Sequence, residues 1–485
     1  MAPGTPQGEA SLLLAAGSPV RSNGAVEMPA HWRAGRARFA VKWLMGSTGA
    51  GLFADGYDFF SIDLAVAIIS QLYPEQMSPR ERGLVVCAAF AGAAVGHIAS
   101  GVGLTGMLGR RACTLVSALV NMVGACLSAC CQPSQALRLA HQLAFCRFFV
   151  GLGIGAREWP PSAALTAEAF TLPSFQSELR GDALQFVAAN SFCFFVGQLF
   201  APVAGLILFY GDMTLDSTWR LALCSTVVPS AVGLVIRLLA HDMEAFRLLD
   251  EEAASASAQE EGRPQRSLGS SGRKWLLLLG ACLALPINMS MAFSLGSCKF
   301  FLAKEVLGAA ANPLQTLERQ AGFSLFMSLF AAAGTLVVFL YAGRVRSFAQ
   351  QFACFAGLCL AFILVSGLTW VPGSTGRRWP MLVLVFALSW LALGVGMASC
   401  SAGPLHFPMA ARSAASGVAA TLGQSGAAVA SALLPLCANA FGMSKVFMAY
   451  AVLSAVGLLI TLLFTPRDDP GTVEETDPNN LEDKK

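Results

Sequence analysis

Asp55, Asp58 and Asp63 stand inside a stretch from Phe39 to Leu72 that is otherwise apolar. That stretch exceeds the about 20 residues that cross a bilayer as a helix. An ionised Asp near mid-membrane costs on the order of 2.5–3.5 kcal/mol even on insertion scales. Each acid must therefore be paired, line a protein cavity, reach the headgroup level or carry a proton. Asp55 and Asp58 are spaced i, i+3 and share a helix face, where two like charges compete and one carboxyl favours its neutral form. Asp63 fits the headgroup level equally well. A second group of charges follows in Leu137–Phe170, where Arg147 and Arg157 lie close to three helical turns apart. Arg157 either contacts an anion through its forked donors or pairs with Glu158, Asp55 or Asp58. Glu158 can carry a proton, because desolvation favours a neutral carboxyl. Trp159 either fills space or stacks on a ligand, and Pro160-Pro161 interrupts the helical ladder, which is tolerated where a cavity is lined. His97 and Lys299 are further candidates in apolar surroundings, His97 with the alternative of a satisfied interface residue.

Composition sets the frame for these charges. Of 485 residues, 55% are hydrophobic and 13% charged, against about 25% charged in soluble domains. The mean hydropathy is +0.60. A net charge of +3 with no basic stripe gives nucleic acid no footprint. The 14 cysteines lack metal-ligand spacing and lie mostly in apolar runs, as small buried hydrophobes in reduced form. No phosphate-cradling loop and no nucleophile elbow occurs, so neither an enzyme nor a bound cofactor or metal is expected.

Hydropathy predicts about twelve spans, making an all-α membrane protein. The first six are Phe39–Leu72, Gly83–Gly106, Ala112–Cys131, Leu137–Phe170, Ala183–Tyr210 and Trp219–Leu239. The second six are Lys274–Ser297, Ala321–Arg344, Phe348–Trp370, Met381–Ala402, Ala414–Phe441 and Val446–Phe464. The expected organisation is a flexible tail (1–38), a six-helix unit (39–240), a charged Ala/Ser/Gly-rich linker (241–273), a second six-helix unit (274–464) and a solvated tail (465–485). The Leu12–Ala16 patch is too short for a signal peptide and has no basic residue before it. Basic residues favour the side bearing both termini and the linker, which places both termini in the cytoplasm; Arg377-Arg378 run against the bias. Basic turns recur in both halves, at Gly109-Arg110-Arg111 and at Gly343-Arg344-Val-Arg346. Six plus six helices with matching turns is the layout of two bundles rocking around a midplane site. Gly92-Ala-Ala-Val-Gly96 and Gly417–Gly423 read as close helix contacts.

With these motifs the chain resembles the major facilitator superfamily of secondary transporters. Gly109-Arg110-Arg111 is similar to the end of its loop motif, whose usual Asp is replaced by Gly106 here. Asp55-Gly-Tyr57-Asp58 resembles the first-helix signature of proton-coupled phosphate symporters and their sugar- and carboxylate-carrying kin. Arg147-Phe-Phe-Val-Gly151-Leu-Gly153-Ile-Gly155 resembles the fourth-helix pattern of that branch, in which the Arg faces inward. Glu158-Trp159-Pro160-Pro161-Ser162-Ala163 is closer to the carboxylate and sugar carriers. Trp219-Arg220 and Phe407-Pro408…Arg412-Ser413 also match. The phosphate pocket is not reproduced: Leu283–Phe293 carries no acid, a tenth-helix Asn aligns with Gly396, an eleventh-helix Lys with Gln424, and a fifth-helix Gln with Asn190 or Ser191.

The resemblance implies a monomeric multi-pass transporter whose partners are a small solute, a proton and the lipid bilayer. The expected function is proton-coupled symport of a small anion, phosphate or a short carboxylate. The alternatives are a sugar or other neutral solute, or a solute sensor with little flux. Asp55, Asp58 and Glu158 are the proton-coupling candidates. Tyr57, Arg147, Arg157, Trp159, Asn190, Ser191, Asn288 and Gln424 are the substrate-binding candidates. Gly109, Arg110, Arg111, Glu168, Arg180, Arg344 and Arg412 are the candidates for conformational gating.

Overall fold

The computed structural model describes residues 21–22, 25–26, 30–100, 110–134, 137–157, 183–211, 213–241, 272–308, 310, 312–342, 344–370, 375–401 and 409–467. The first half comprises α1 (Ala30–Leu72), α2 (Pro79–Ala99), α3 (Arg110–Cys130), α4 (Leu139–Arg157), α5 (Ala183–Tyr210), α6 (Leu215–Cys224) and α7 (Val227–His241). The second comprises α8 (Gly272–Gly296), α9 (Lys299–Leu307), α10 (Pro313–Tyr341), α11 (Ser347–Trp370), α12 (Thr375–Cys400), α13 (Met409–Phe441) and α14 (Met443–Phe464). Arg21–Ser22 and Ala25–Val26 pair as a two-residue antiparallel ladder.

Nine helical stretches among the described residues are long and apolar enough to cross a membrane. The other expected spans fall on α1, with its three Asp, and on the shorter apolar stretches Leu115–Cys130 and Cys282–Gly296. The expected sixth span is a single crossing made of two helices. Pro229, in the first turn of α7, cannot donate a ladder hydrogen bond; the Ser225 carbonyl accepts from the Val228 N–H instead, and the Ser225 and Thr226 hydroxyls donate back to the Ala222 and Leu223 carbonyls. The expected flexible tail is corrected at its end: α1 begins at Ala30 rather than Phe39, because Ala and Arg are strong helix formers and continue the helix N-terminally. The span expected over Leu137–Phe170 is helical to Arg157, and 158–170 lie outside the described residues, as do the linker from 242 to 271 and the tail beyond 467. Leu127, Phe145, Ile207, Val429 and Leu463 are exposed on the outer surface, where a bilayer takes the place of water.

Glycines set how close the helices come. A Cβ on Gly92 would strike the Phe148 carbonyl, and one on Gly151 or Gly155 the carbonyl of Ala89 or Ala93. The two helices α2 and α4 thus meet backbone to backbone, as small-residue seams in membranes do. Gly153 points to the other side of α4, towards Ser117 and Asn121 of α3, so one Gly-x-Gly-x-Gly run serves two neighbours. Gly56 against Phe194 and Gly197 against Phe53 draw α1 to α5 in the same way. In the second half Gly334 and Gly394 join α10 to α12 reciprocally, and Gly423 and Gly426 seat α8 on α13.

The halves meet along α2–α13 and α5–α10. At the end carrying residues 73–78, a Cβ on Gly83 would lie 2.6 Å from the Ala432 carbonyl. At the opposite end Leu184 and Ala188 of α5 pack with Val338 of α10 and Ala398 of α12. Between the two ends Phe293 of α8 enters a cage of first-half rings. It stacks on Phe59 and Phe90 at 5.8 and 5.7 Å and lies 5.3 Å from Phe194.

The α2–α4 seam yields a direct test. Gly151→Val inserts carbon where the Ala89 backbone stands, and overpacking of this kind costs about 1–3 kcal/mol or more. The variant is expected to lose monodispersity and to melt earlier in detergent, whereas Gly322→Ala, with open space around its Cβ position, should match the parent.

Candidate functional site

The first-half interior is built around one ion pair. Arg147 Nη1 of α4 donates to Asp58 Oδ1 of α1 at 2.8 Å, and Arg147 Nη2 to the Asp58 carbonyl, also at 2.8 Å. The side chains are 0% and 1% exposed. Asn121 of α3 donates to Asp58 Oδ2 at 2.7 Å and accepts from Ser230 of α7 at 3.0 Å. Four helices therefore converge on one carboxylate. Gly153 lets α4 come near enough to Ser117 and Asn121 of α3 to close the network.

Arg147, a substrate-binding candidate from the sequence, is thus held by Asp58, a proton-coupling candidate. Tyr57 shares a 2.7 Å hydrogen bond with Ser225 at the α6–α7 break. Asn190 accepts from Thr48 at 3.1 Å, and Ser191 donates to its own helix at Val187. Asp55 is buried beside this network on α1. Arg157 closes α4, Arg110 and Arg111 open α3, and Arg412 lies in the first turn of α13; their side chains are not among those described. Glu158, Trp159, Glu168, Arg180 and Gly109 lie outside the described residues. Arg344 is exposed in the turn after α10.

Asn288 of α8 and Gly396 of α12 explain each other. The Asn288 amide occupies the space in which a Gly396 side chain would sit, and its Nδ2 donates to Cys354 Sγ at 3.7 Å.

Several buried amides keep unmatched polar atoms: both ends of Gln198, Asn288 Oδ1 and Gln424 Oε1, and also Gln320 Oε1 and Gln350 Oε1. A buried amide without partners costs about 1–3 kcal/mol, so such atoms are natural contacts for a polar solute. Gln198 was missed in the sequence, where its apolar neighbours in Gly197-Gln198-Leu199-Phe200 concealed it. Asp63 is buried and accepts from the Phe300 backbone of the other half. His97 and Lys299 are also buried. Cys131 Sγ and Cys146 Sγ stand 4.0 Å apart, well beyond the about 2.05 Å of a disulfide. Among the described residues no cluster of His, Cys, Asp and Glu could hold a metal ion.

Apolar helices long enough to cross a membrane, packed around a buried polar interior, make this an integral multi-pass membrane protein. Residues 44–268 match the family model described as "Sugar (and other) transporter". The chain is 23% identical to the glucose transporter GlcP of Staphylococcus epidermidis, over 89% of this chain and 95% of that protein. It is 22% identical to the inorganic phosphate transporter PT2 of Toxoplasma gondii, over 85% of this chain and 70% of that one. Among solved structures, the proton:xylose symporter XylE bound to 6-bromo-6-deoxy-D-glucose superposes with a TM-score of 0.67 at 14% identity, covering 90% of this chain and 98% of that one. The chain has the major facilitator fold.

Two double-variant experiments follow from the site. Arg147→Met alone leaves Asp58 buried without its counter-charge, which costs about 3–5 kcal/mol; Asp58→Asn with Arg147→Met should recover most of the lost thermal stability in detergent. Gly396→Asn should destabilise the carrier by collision with Asn288, and adding Asn288→Gly should restore the parental melting midpoint.

Proposed function

We propose that the chain is a proton-coupled symporter of a small anion, inorganic phosphate or a short carboxylate, with halves that open alternately to the two sides. The observation that carries this reading is the fully buried Asp58–Arg147 pair. With Asp58 ionised the pair is neutral and calls for no further charge. A proton on Asp58 leaves the Arg147 guanidinium uncompensated, where an unpaired charge is very costly. One anion restores the balance. Proton and anion therefore load together and leave together, and a guanidinium freed in this way offers the forked donors that suit carboxylate and phosphate.

In this reading Asp55 and Glu158 share proton handling with Asp58, and Arg157 joins Arg147 in holding the anion. Tyr57, Trp159, Asn190, Ser191, Asn288 and Gln424 line the path, joined by Gln198. Gly109, Arg110, Arg111, Glu168, Arg180, Arg344 and Arg412 govern gating. The carrier works as a monomer of two six-helix units, 39–240 and 274–464, with both termini in the cytoplasm. Similarity to PT2 supports the anion, and the likeness to a proton:xylose symporter supports the coupling ion.

A neutral polyhydroxylated solute is the second reading. The unmatched amides of Gln198, Asn288 and Gln424 favour it, as does the similarity to GlcP.

Sealed vesicles carrying the purified protein decide between them. Labelled phosphate or lactate uptake should rise with an inward proton gradient and collapse with a protonophore, and replacing sodium should leave it unchanged. Asp58→Asn and Glu158→Gln mimic the protonated forms, so each should retain exchange while the accumulation ratio falls to about one. Accumulation by Glu158→Gln at the parental level would move the coupling proton to Asp55 or Asp58. Glucose uptake with no response to phosphate or lactate would select the second reading. Binding by thermal shift with no flux of any solute would make the protein a sensor.

A further inference from the structure

α9 starts at Lys299, just after the break at Ser297 and Cys298, and the side chain of its N-cap residue Cys298 makes no capping hydrogen bond. The first turn of a helix presents N–H groups that need acceptors. Here one acceptor arrives from the other half of the molecule. Asp63 Oδ2 of α1 accepts from the Phe300 N–H at 2.8 Å, bridging 237 residues of sequence. A carboxylate also suits the positive end of the helix dipole. Asp63 is 4% exposed and Lys299 1%. Lys299 Nζ donates to Ser328 of α10 at 2.6 Å and lies 5.2 Å from the Phe60 ring centroid and 5.5 Å from that of Trp390. It makes no ion pair with Asp63.

We propose that Asp63 is the latch of the end carrying residues 73–78: its carboxylate, from the first half, caps α9 in the second half and holds α1 against α9 until that end opens. This inference rests on the reading of the chain as an alternating-access carrier. Apart from the approach of Lys299 to the Phe60 ring, the other contacts nearby are apolar. The Phe60 ring fills the space a Gly296 side chain would need, and Gly83 abuts Ala432. Apolar surfaces slide and part gradually, whereas a charge-assisted hydrogen bond is directional and is either made or lost. Separating α1 from α9 leaves both Asp63 and the α9 N-terminus without partners unless water enters. The contact therefore distinguishes a dry closed end from a wet open one, and the charges that face it are those of Lys299 and Asp63 themselves.

Cys298 provides the reporter, since it is a buried free thiol at the N-cap of α9. The full-length protein in vesicles is treated with a membrane-impermeant maleimide on each side in turn, and labelling at Cys298 is read by peptide mass spectrometry. Asp63→Ala should speed Cys298 labelling about tenfold, the shift expected for loss of one charge-assisted hydrogen bond, and only from the side bearing residues 73–78. Asp63→Asn, which keeps an oxygen acceptor without the charge, should fall between it and the parent, and it serves alone if Asp63→Ala does not fold. Parental labelling rates in a well-folded Asp63 variant would overturn the latch, as would equal acceleration from both sides. Proton-driven uptake by the parent is measured separately. Faster Cys298 labelling in a protein without uptake keeps the latch and removes the transport reading; unchanged labelling beside proton-driven uptake does the reverse.

Discussion

A guanidinium and a carboxylate with no exposed surface cannot be left apart in a medium of low dielectric constant, and the first half of this protein is arranged to keep Asp58 and Arg147 together. The pair alone would be weak evidence of stability, because desolvation offsets much of its Coulombic gain. What makes it tenable is hydrogen bonding that reaches both carboxylate oxygens and both terminal guanidinium nitrogens, although Arg147 Nε stays unmatched. Asn121 takes the second carboxylate oxygen, Ser230 fixes the amide of Asn121, and Arg147 also reaches the Asp58 carbonyl. Each partner comes from a different helix, so the network ties α1, α3, α4 and α7 into one unit.

That network requires helices to approach more closely than ordinary side chains allow. The glycine seams meet this requirement, and they recur in both halves. Reciprocal glycines join α2 to α4 and, in the second half, α10 to α12; others join α1 to α5 and α8 to α13. The repeat conserves backbone contact while the chemistry it positions differs. The first half uses its close seams to bury charge, and the second to bury amides and rings, with Asn288 in the space left by Gly396 and Phe293 extended into the opposite half.

Much of this was legible in the sequence, and the failures share a cause. Apolar runs bounded by polar turns fixed the crossings, and acids or arginines inside such runs had to be paired or functional, which singled out Asp58 and Arg147; the structure pairs them with each other. Partner choice was not legible, because spacing along one helix says nothing about which distant helix faces it. The i, i+3 relation of Asp55 and Asp58 suggested competition between carboxylates, while the decisive neighbour of Asp58 was Arg147 on α4. Asp63 looked like a helix-end residue because the chain around it gave no hint of α9. Gln198 and Phe293 were hidden for the opposite reason, since an amide among apolar residues and a phenylalanine in a membrane span carry no signal until the other half is brought against them. The early start of α1 and the break at Ser225 were local matters, decided by helix propensity and by Pro229.

The arrangement of α1 links the charge network to the contact between halves. Asp58 and Phe59 are adjacent in sequence, and at 3.6 residues per turn adjacent side chains diverge by about 100°. Asp58 is thereby directed into the first half, against Arg147, while Phe59 and Phe60 meet Phe293 of the second. The stacked rings exclude water from the region beside the ion pair, and a Coulombic attraction in dry surroundings is far stronger than in wet ones. One helix thus couples the two features: the same turn of α1 carries the carboxylate that holds Arg147 and the rings that seal the contact between the halves.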